Sequence, residues 1–375
     1  MLDFLFDPGS PFVWILIIAI ISGAVAVISR PFASYIQFVY PNAKYEAIGN
    51  PYIHKQTLEK LVELESLDQF IEQVNTNKDY HIEGTTAADI QQQLDKHLET
   101  LITQMKKEHG KKMQGFFTAY IEFKHGPILK SIIRGLYEKN TIDYDYFLQS
   151  ASSQTIRALI NQISTAQPET ISSILTSYGF TSLLTDLMES TDTVPLQLDS
   201  AVDSYLINQM KQVKVPYKCK DAIQEYLNRL TDTYLIGHIL RAKHLKYHEK
   251  LCRLLNIGDG YEIPTWKFEE LSNAETVTEI IEGLDGTSYY PSLKQAAEKE
   301  DITKSVQPFI IAIDQHMLTI LRQLSQQYYT SIGPTLRFLL SKEKEIINLK
   351  IISKGISEHL PTDKITPLLI TEVNT

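Results

Sequence analysis

Cysteine is nearly absent from this chain: Cys219 and Cys252 are the only two among 375 residues, 33 positions apart and outside any CxxC spacing. That excludes a disulfide framework and a cysteine-ligated zinc site, and it fits a reducing cytoplasm. A basic balance is missing too. With 36 Lys and Arg against 45 Asp and Glu the formal net charge is −9, which argues against a nucleic-acid partner over most of the surface. Strand signals are scarce, and no NG or DG dipeptide is flanked by alternating apolar residues. The phosphate loop GxxxxGK[ST], the dinucleotide signature GxGxxG and the elbow GxSxG are all lacking. HLKYHE places His244 and His248 on one helical face with His238 upstream, but the HExxH pattern would need Glu where Leu245 stands. Glu122, His125, Glu343 and Glu345 form no acid–base pair recognisable by spacing. No catalytic residue, metal or cofactor is expected.

What is present is a globular composition, 43% hydrophobic and 22% charged, and one long apolar run. FVWILIIAIISGAVAVIS, Phe12 to Ser29, carries no charge over 18 residues and would rise ~27 Å as a helix. Asp3 and Asp7 precede it and Arg30 and Lys44 follow, the wrong polarity for a cleaved signal peptide. The pattern predicts an uncleaved single-pass anchor marked by Phe12, Trp14, Ile20 and Ser29, with the bulk of the chain on the cytoplasmic face of the cell membrane. Beyond it the chain reads as helix. Leu61, Leu64, Leu67, Phe70, Ile71 and Val74 recur at the spacing of one helical face, and prolines punctuate plausible helix starts. The fold class is all-α.

The chain also repeats itself. SIIRGL at Ser131, HILRAK at His238 and IISKGI at Ile351 align Arg134, Arg241 and Lys354, which are 107 and 113 residues apart. PETISSILTSYGFTS from Pro168 aligns without gaps on AETVTEIIEGLDGTS from Ala274. At a longer offset Leu271 falls on Leu61, Ile280 on Phe70, Leu284 on Val74 and Tyr290 on Tyr80. LDKHLETLI, LDSAVDSYL and IDQHMLTIL set Asp95, Asp199 and Asp314 in equivalent places. Such a period is longer than that of ordinary solenoids, so each unit should comprise several helices. The expected order is an anchor over 1–30, helical units over 31–110, 111–215 and 216–330, and C-terminal helices over 331–375 that pack on the first unit.

One stretch points to a family. EKEIINLKIISKGISEHLPTDKI, Glu343 to Ile365, resembles the C-terminal signature of the C subunit of archaeal A-type (V-type) ATP synthases, kin to the d subunit of V-ATPases. YLIGHILRAK at Tyr234 resembles its internal version, and LDGTSYYPSL resembles its Leu-x-Gly-Thr-x-Tyr segment at Leu284, Gly286, Thr287 and Tyr289. The likeness runs from about Tyr40 onward, but where the family opens with Tyr-Ala-x-Ala-Arg this chain has Tyr40, Asn42, Ala43, Lys44 and Glu46. The resemblance implies a funnel-like body of three similar units that sits on the proteolipid ring and receives the central shaft subunits. It would be a non-catalytic central-stalk piece coupling ion translocation to ATP synthesis or the reverse, in contact with the membrane and the rest of the complex.

Within that reading Arg134, Arg241 and Lys354 are the candidate shaft interface, because basic side chains could meet acidic or carbonyl groups at the foot of a shaft. Asp95, Asp199 and Asp314 are expected to cap or pair locally. A membrane-anchored helical scaffold of another complex would need only the anchor and the repeats, and a metal-dependent hydrolase would need His244 and His248 as ligands.

Overall fold

The computed structural model describes residues 11–49, 53–299 and 304–372, with the side chains of residues 12 and 30–37 outside that set. Among the described residues there are nineteen α-helices and no strand. Helix α1 (Pro11–Ile48) leads to α2 (Lys55–Val62), α3 (Leu67–Asn75) and the longer α4 (Ala87–Glu108). Then α5 (Gln114–Lys124) and α6 (Gly126–Glu138) follow each other closely, with a stub, α7 (Tyr144–Ser150), behind them. The order recurs as α8 (Gln154–Ser164), α9 (Ile171–Ser177), α10 (Ser182–Glu189), α11 (Pro195–Gln212), the long α12 (Tyr217–His244) and the stub α13 (Glu249–Arg253). It recurs again as α14 (Thr265–Ser272), α15 (Val277–Gly283), α16 (Tyr290–Lys299), α17 (Gln307–Gln327), the long α18 (Gly333–Ser357) and the stub α19 (Thr362–Ile365).

Local chemistry sets these boundaries. Thr86 and Asp89 form a reciprocal capping box that satisfies two amides at the start of α4. Pro127, Pro195, Pro308 and Pro334 sit in first turns, where a missing N–H costs nothing. Pro127 also explains why α5 and α6 are two helices, since it cannot donate to the carbonyl of Phe123.

Helices α6, α12 and α18 end alike. Asn140, Tyr247 and Leu360 N–H groups each donate back to Gly135, Ala242 and Gly355 carbonyls at 2.9 Å. Lys139, Lys246 and His359, the residues before them, take left-handed φ values of 55°, 59° and 53°. This is one Schellman ending written three times, each with a side chain where glycine is usual.

The longer helices close a circuit: α4 packs on α5, α5 and α6 on α11, α11 on α12, α12 on α17, α17 on α18, and α18 back on α4. The final long helix also touches α1, α2 and α3, with the Tyr45 ring stacked on Phe338 at 4.6 Å and the Asn42 amide donating to the Tyr329 and Ser331 carbonyls at 2.8 Å.

Within α12 and α18, and at the junction of α5 and α6, a buried acceptor holds the backbone entering another bundle. His125 Nε2 accepts the Ser152 and Ser153 N–H groups at 3.1 Å, just before α8. Asp232 accepts the Glu262 and Ile263 N–H groups at 3.0 and 2.9 Å, just before α14. Glu345 accepts the Ile53 N–H at 2.6 Å, just before α2, and binds the Tyr80 hydroxyl as Asp232 binds that of Tyr289. These three residues each stand nine positions before Arg134, Arg241 and Lys354. Buried amides at a loop must find acceptors, and these side chains supply them. Glu345 is further paired with the buried Lys342 at 2.6 Å, whose ammonium also meets Asp79 at 2.7 Å.

The transmembrane anchor expected over residues 1–30 is corrected here. Among the described residues no helix is long and apolar enough to cross a membrane. Trp14 and Ile20 are 58% and 62% exposed, and the Ser29 hydroxyl donates to the Ala26 carbonyl. The side chain of Phe12 and all of residues 1–10 lie outside the described residues. The helix runs on to Ile48, and Phe38, Asn42 and Tyr45 are buried in the body.

Candidate functional site

A cavity of about 780 Å³ opens inside the circuit of long helices. One wall is apolar. Val306, Ile310, Ile313, Met317 and Leu321 line it from α17 and its entry at intervals of three and four, so a single face of that helix is presented. Charge enters from α5, α6, α11, α12 and α18, and from Asp314 at the edge of the α17 wall.

Four of the lining carboxylates are matched to cations within the cavity. The guanidinium of Arg134 binds Asp199 through two bonds, with Nε–H at 2.7 Å from Oδ1. Lys130 meets Asp203 at 2.6 Å, Lys124 meets Glu343 at 2.7 Å, and Lys344 meets Asp314 at 2.7 Å. Burial by itself would push the Glu343 carboxyl up, but Lys124 and Lys344 outweigh it and hold the group below its ordinary value. Burial would likewise lower Lys344, and Asp314 with Glu343 reverses that. The Tyr120 hydroxyl completes the shell of Glu343. Pairing of this kind is required where charge is buried, and it fixes the helices in register around the space.

The candidate residues divide. Arg134 and Arg241 both line the cavity, but Lys354 does not: its ammonium reaches the exposed Glu358 one turn on, at 2.6 Å. Asp199 and Asp314 line the cavity, whereas Asp95 meets Lys350 on α18 at 2.7 Å, so all three aspartates join different helices instead of pairing locally. Lys124, Lys130 and Lys344 are invisible as site residues in the sequence, because nothing in spacing distinguishes them from solvated lysines. Among the described residues Arg241 is matched to no carboxylate. Its Nη1 lies over Gly237, where an added Cβ would stand 3.4 Å from it and 3.5 Å from Ile310 Cδ1. The cationic and apolar walls therefore adjoin at that glycine.

The histidines do not assemble a metal centre. His238 is engaged through Nε2 with Asp203 at 3.0 Å, and His248 caps α13 by accepting the Leu251 N–H. No group of three or more potential ligands occurs among the described residues.

Two comparisons bear on this architecture. Residues 41–368 match the family model described as ATP synthase (C/AC39) subunit. Among curated proteins the chain is similar to the C subunit of the A-type ATP synthase of Methanobrevibacter smithii, 26% identical over 94% of both chains, and to that of Pyrococcus abyssi, 24% identical over 89% of this chain and 90% of the other. The corresponding C subunit of Methanocaldococcus jannaschii is 32% identical over a shorter span, 46% of this chain and 43% of its own.

Proposed function

Since this chain belongs to the ATP synthase (C/AC39) subunit family and is similar over nearly its whole length to C subunits of A-type ATP synthases, we propose that it is such a subunit and works in the central stalk, joining the proteolipid ring to the shaft. Torque from ion translocation would pass through the body to the head that makes ATP, or back again. The observation that carries the reading is the partly enclosed cavity lined by α5, α6, α11, α12, α17 and α18, with room for an inserted element and braced by four matched charge pairs. A coupling piece needs stiffness and a specific seat, and close-packed helices locked by partly buried pairs supply both without a reactive group. We read the body as three units, over 31–110, 111–215 and 216–330, with residues 331–375 completing the first. Arg134 and Arg241 are the interface residues of the seat, while Lys354 serves the outer face.

The test is mass spectrometry of what copurifies with the chain after gentle extraction of native membranes. Ring, shaft and head subunits with one copy of this chain per complex are expected. A chain that arrives without them, under conditions that keep the rotary complex intact, would remove the coupling reading.

A further inference from the structure

The repeat that pairs Arg134 with Asp199 has a counterpart in the next unit, where Arg241 should pair with Asp314. It does not. Asp314 Oδ1 is taken by Lys344 Nζ at 2.7 Å, across the junction of α17 and α18. Of the five Lys and Arg side chains lining the cavity, four are matched to its four carboxylates, and among the described residues Arg241 is the one left over. Beside it, the buried His238 leaves Nδ1 without a hydrogen-bond partner among the described residues. An unmatched guanidinium in a partly enclosed space is poorly solvated and favours an incoming anion.

Size limits what can bring that anion. A helix with its side chains is about 10–12 Å across, so about 780 Å³ holds roughly one and a half turns of one helix. The apolar ridge of Ile310, Ile313, Met317 and Leu321 adjoins Arg241 through Gly237. An occupant that satisfies both walls is amphipathic, apolar toward α17 and acidic toward α12.

We infer that the seat takes the tip of a single shaft helix carrying one carboxylate that binds Arg241, with the helix's apolar face against α17. This rests on the central-stalk reading and specifies which chemistry the shaft must present. The break in the repeat makes the seat polar in direction, because among the described residues only one of the three related positions offers an unmatched cation to the cavity.

The experiment measures binding of the full-length chain to shaft subunits released from the purified native complex, over a range of salt. Arg241→Ala should weaken binding about 30-fold and Arg241→Glu more, with the salt dependence of the wild type flattened. Lys354→Ala, whose partner Glu358 lies on the outer face, should leave binding unchanged. Arg241→Lys should restore much of the affinity, and unchanged melting of each variant shows that folding is not the cause. If the wild type binds and Arg241→Glu binds equally well, the inference is overturned and the stalk reading stands. If the wild type fails to bind shaft subunits at all, the stalk reading falls first.

Discussion

His125 and Asp232 perform one task with opposite chemistry. Each accepts two backbone N–H groups from the segment entering the next bundle, yet one is an imidazole and the other a carboxylate. Their neighbours explain the choice. Glu99 lies 3.8 Å from His125 Nε2 and Asp95 acts on it as well, so a carboxylate there would add a third negative charge. Asp232 instead has Arg229 nearby and a hydroxyl from Tyr289. Equivalent positions in the repeat thus keep the hydrogen-bonding role while local electrostatics selects the functional group.

The two latches should respond to acid in opposite senses. Burial depresses His125 to about 4, so the native state binds fewer protons than the unfolded chain between roughly pH 4 and 6.5, and stability is lost as pH falls through that window. Burial raises Asp232 to about 6 against its amide and Arg229 contacts, so between roughly pH 4 and 6 its contribution declines as pH rises. Each shift corresponds to roughly 3 kcal/mol.

The largest break in the comparison comes from deletion. Asp232→Ala removes the acceptor of the Glu262 and Ile263 amides and one acceptor of the Tyr289 hydroxyl, for an expected loss of about 3 kcal/mol, read as faster hydrogen exchange at Glu262 and Ile263. Gly260→Ala should loosen the same loop by a different route, because a Cβ at 260 would run into the Asp232 carboxyl. Next comes the exchange of acceptors. His125→Asp should destabilise the Ser152–Ser153 segment at neutral pH by about 2–3 kcal/mol and recover part of that in acid, whereas His125→Gln should abolish acid sensitivity there and leave Glu262 and Ile263 unaffected. Segment-resolved hydrogen exchange from pH 5 to 7 distinguishes them, and identical pH profiles at both loops would refute the opposed-sign account.

Smaller effects sharpen the picture. Lys139→Gly, Lys246→Gly and His359→Gly each relieve a left-handed side chain and should stabilise by about 0.5–1 kcal/mol, visible as additive rises in Tm. Lys354→Ala should leave Tm essentially where it is, since its pair with Glu358 is exposed on one helix surface.

Much of this fold is written plainly in the sequence. Helical periodicity, first-turn prolines and the repeated Arg134 and Arg241 all lead toward the helices around the cavity. The latches escape such reading because their residue types differ: His125, Asp232 and Glu345 share a position nine residues before the repeated cation, but no chemistry that a motif could match. The left-handed endings hide for the opposite reason, since Lys139, Lys246 and His359 stand where a turn would advertise glycine. The run from Phe12 to Ser29 overstates membrane crossing, because a row of apolar letters does not show how much of a helix is continuous, apolar and long enough. The pairing of Asp314 with Lys344 depends on how α17 meets α18, which no local pattern contains.

The contact of α18 with α2, α3 and α4 has a consequence for how the molecule is made. The helices between residues 55 and 108 leave the ribosome early, but the helix that covers them is more than two hundred residues further along. Glu345, which receives the Ile53 amide, and Lys342, which neutralises Asp79, are not yet synthesised when the middle of the chain can already compact. Helices α2 to α4 are made before the middle of the chain but finished after it, and until α18 has emerged they must wait with their apolar face uncovered.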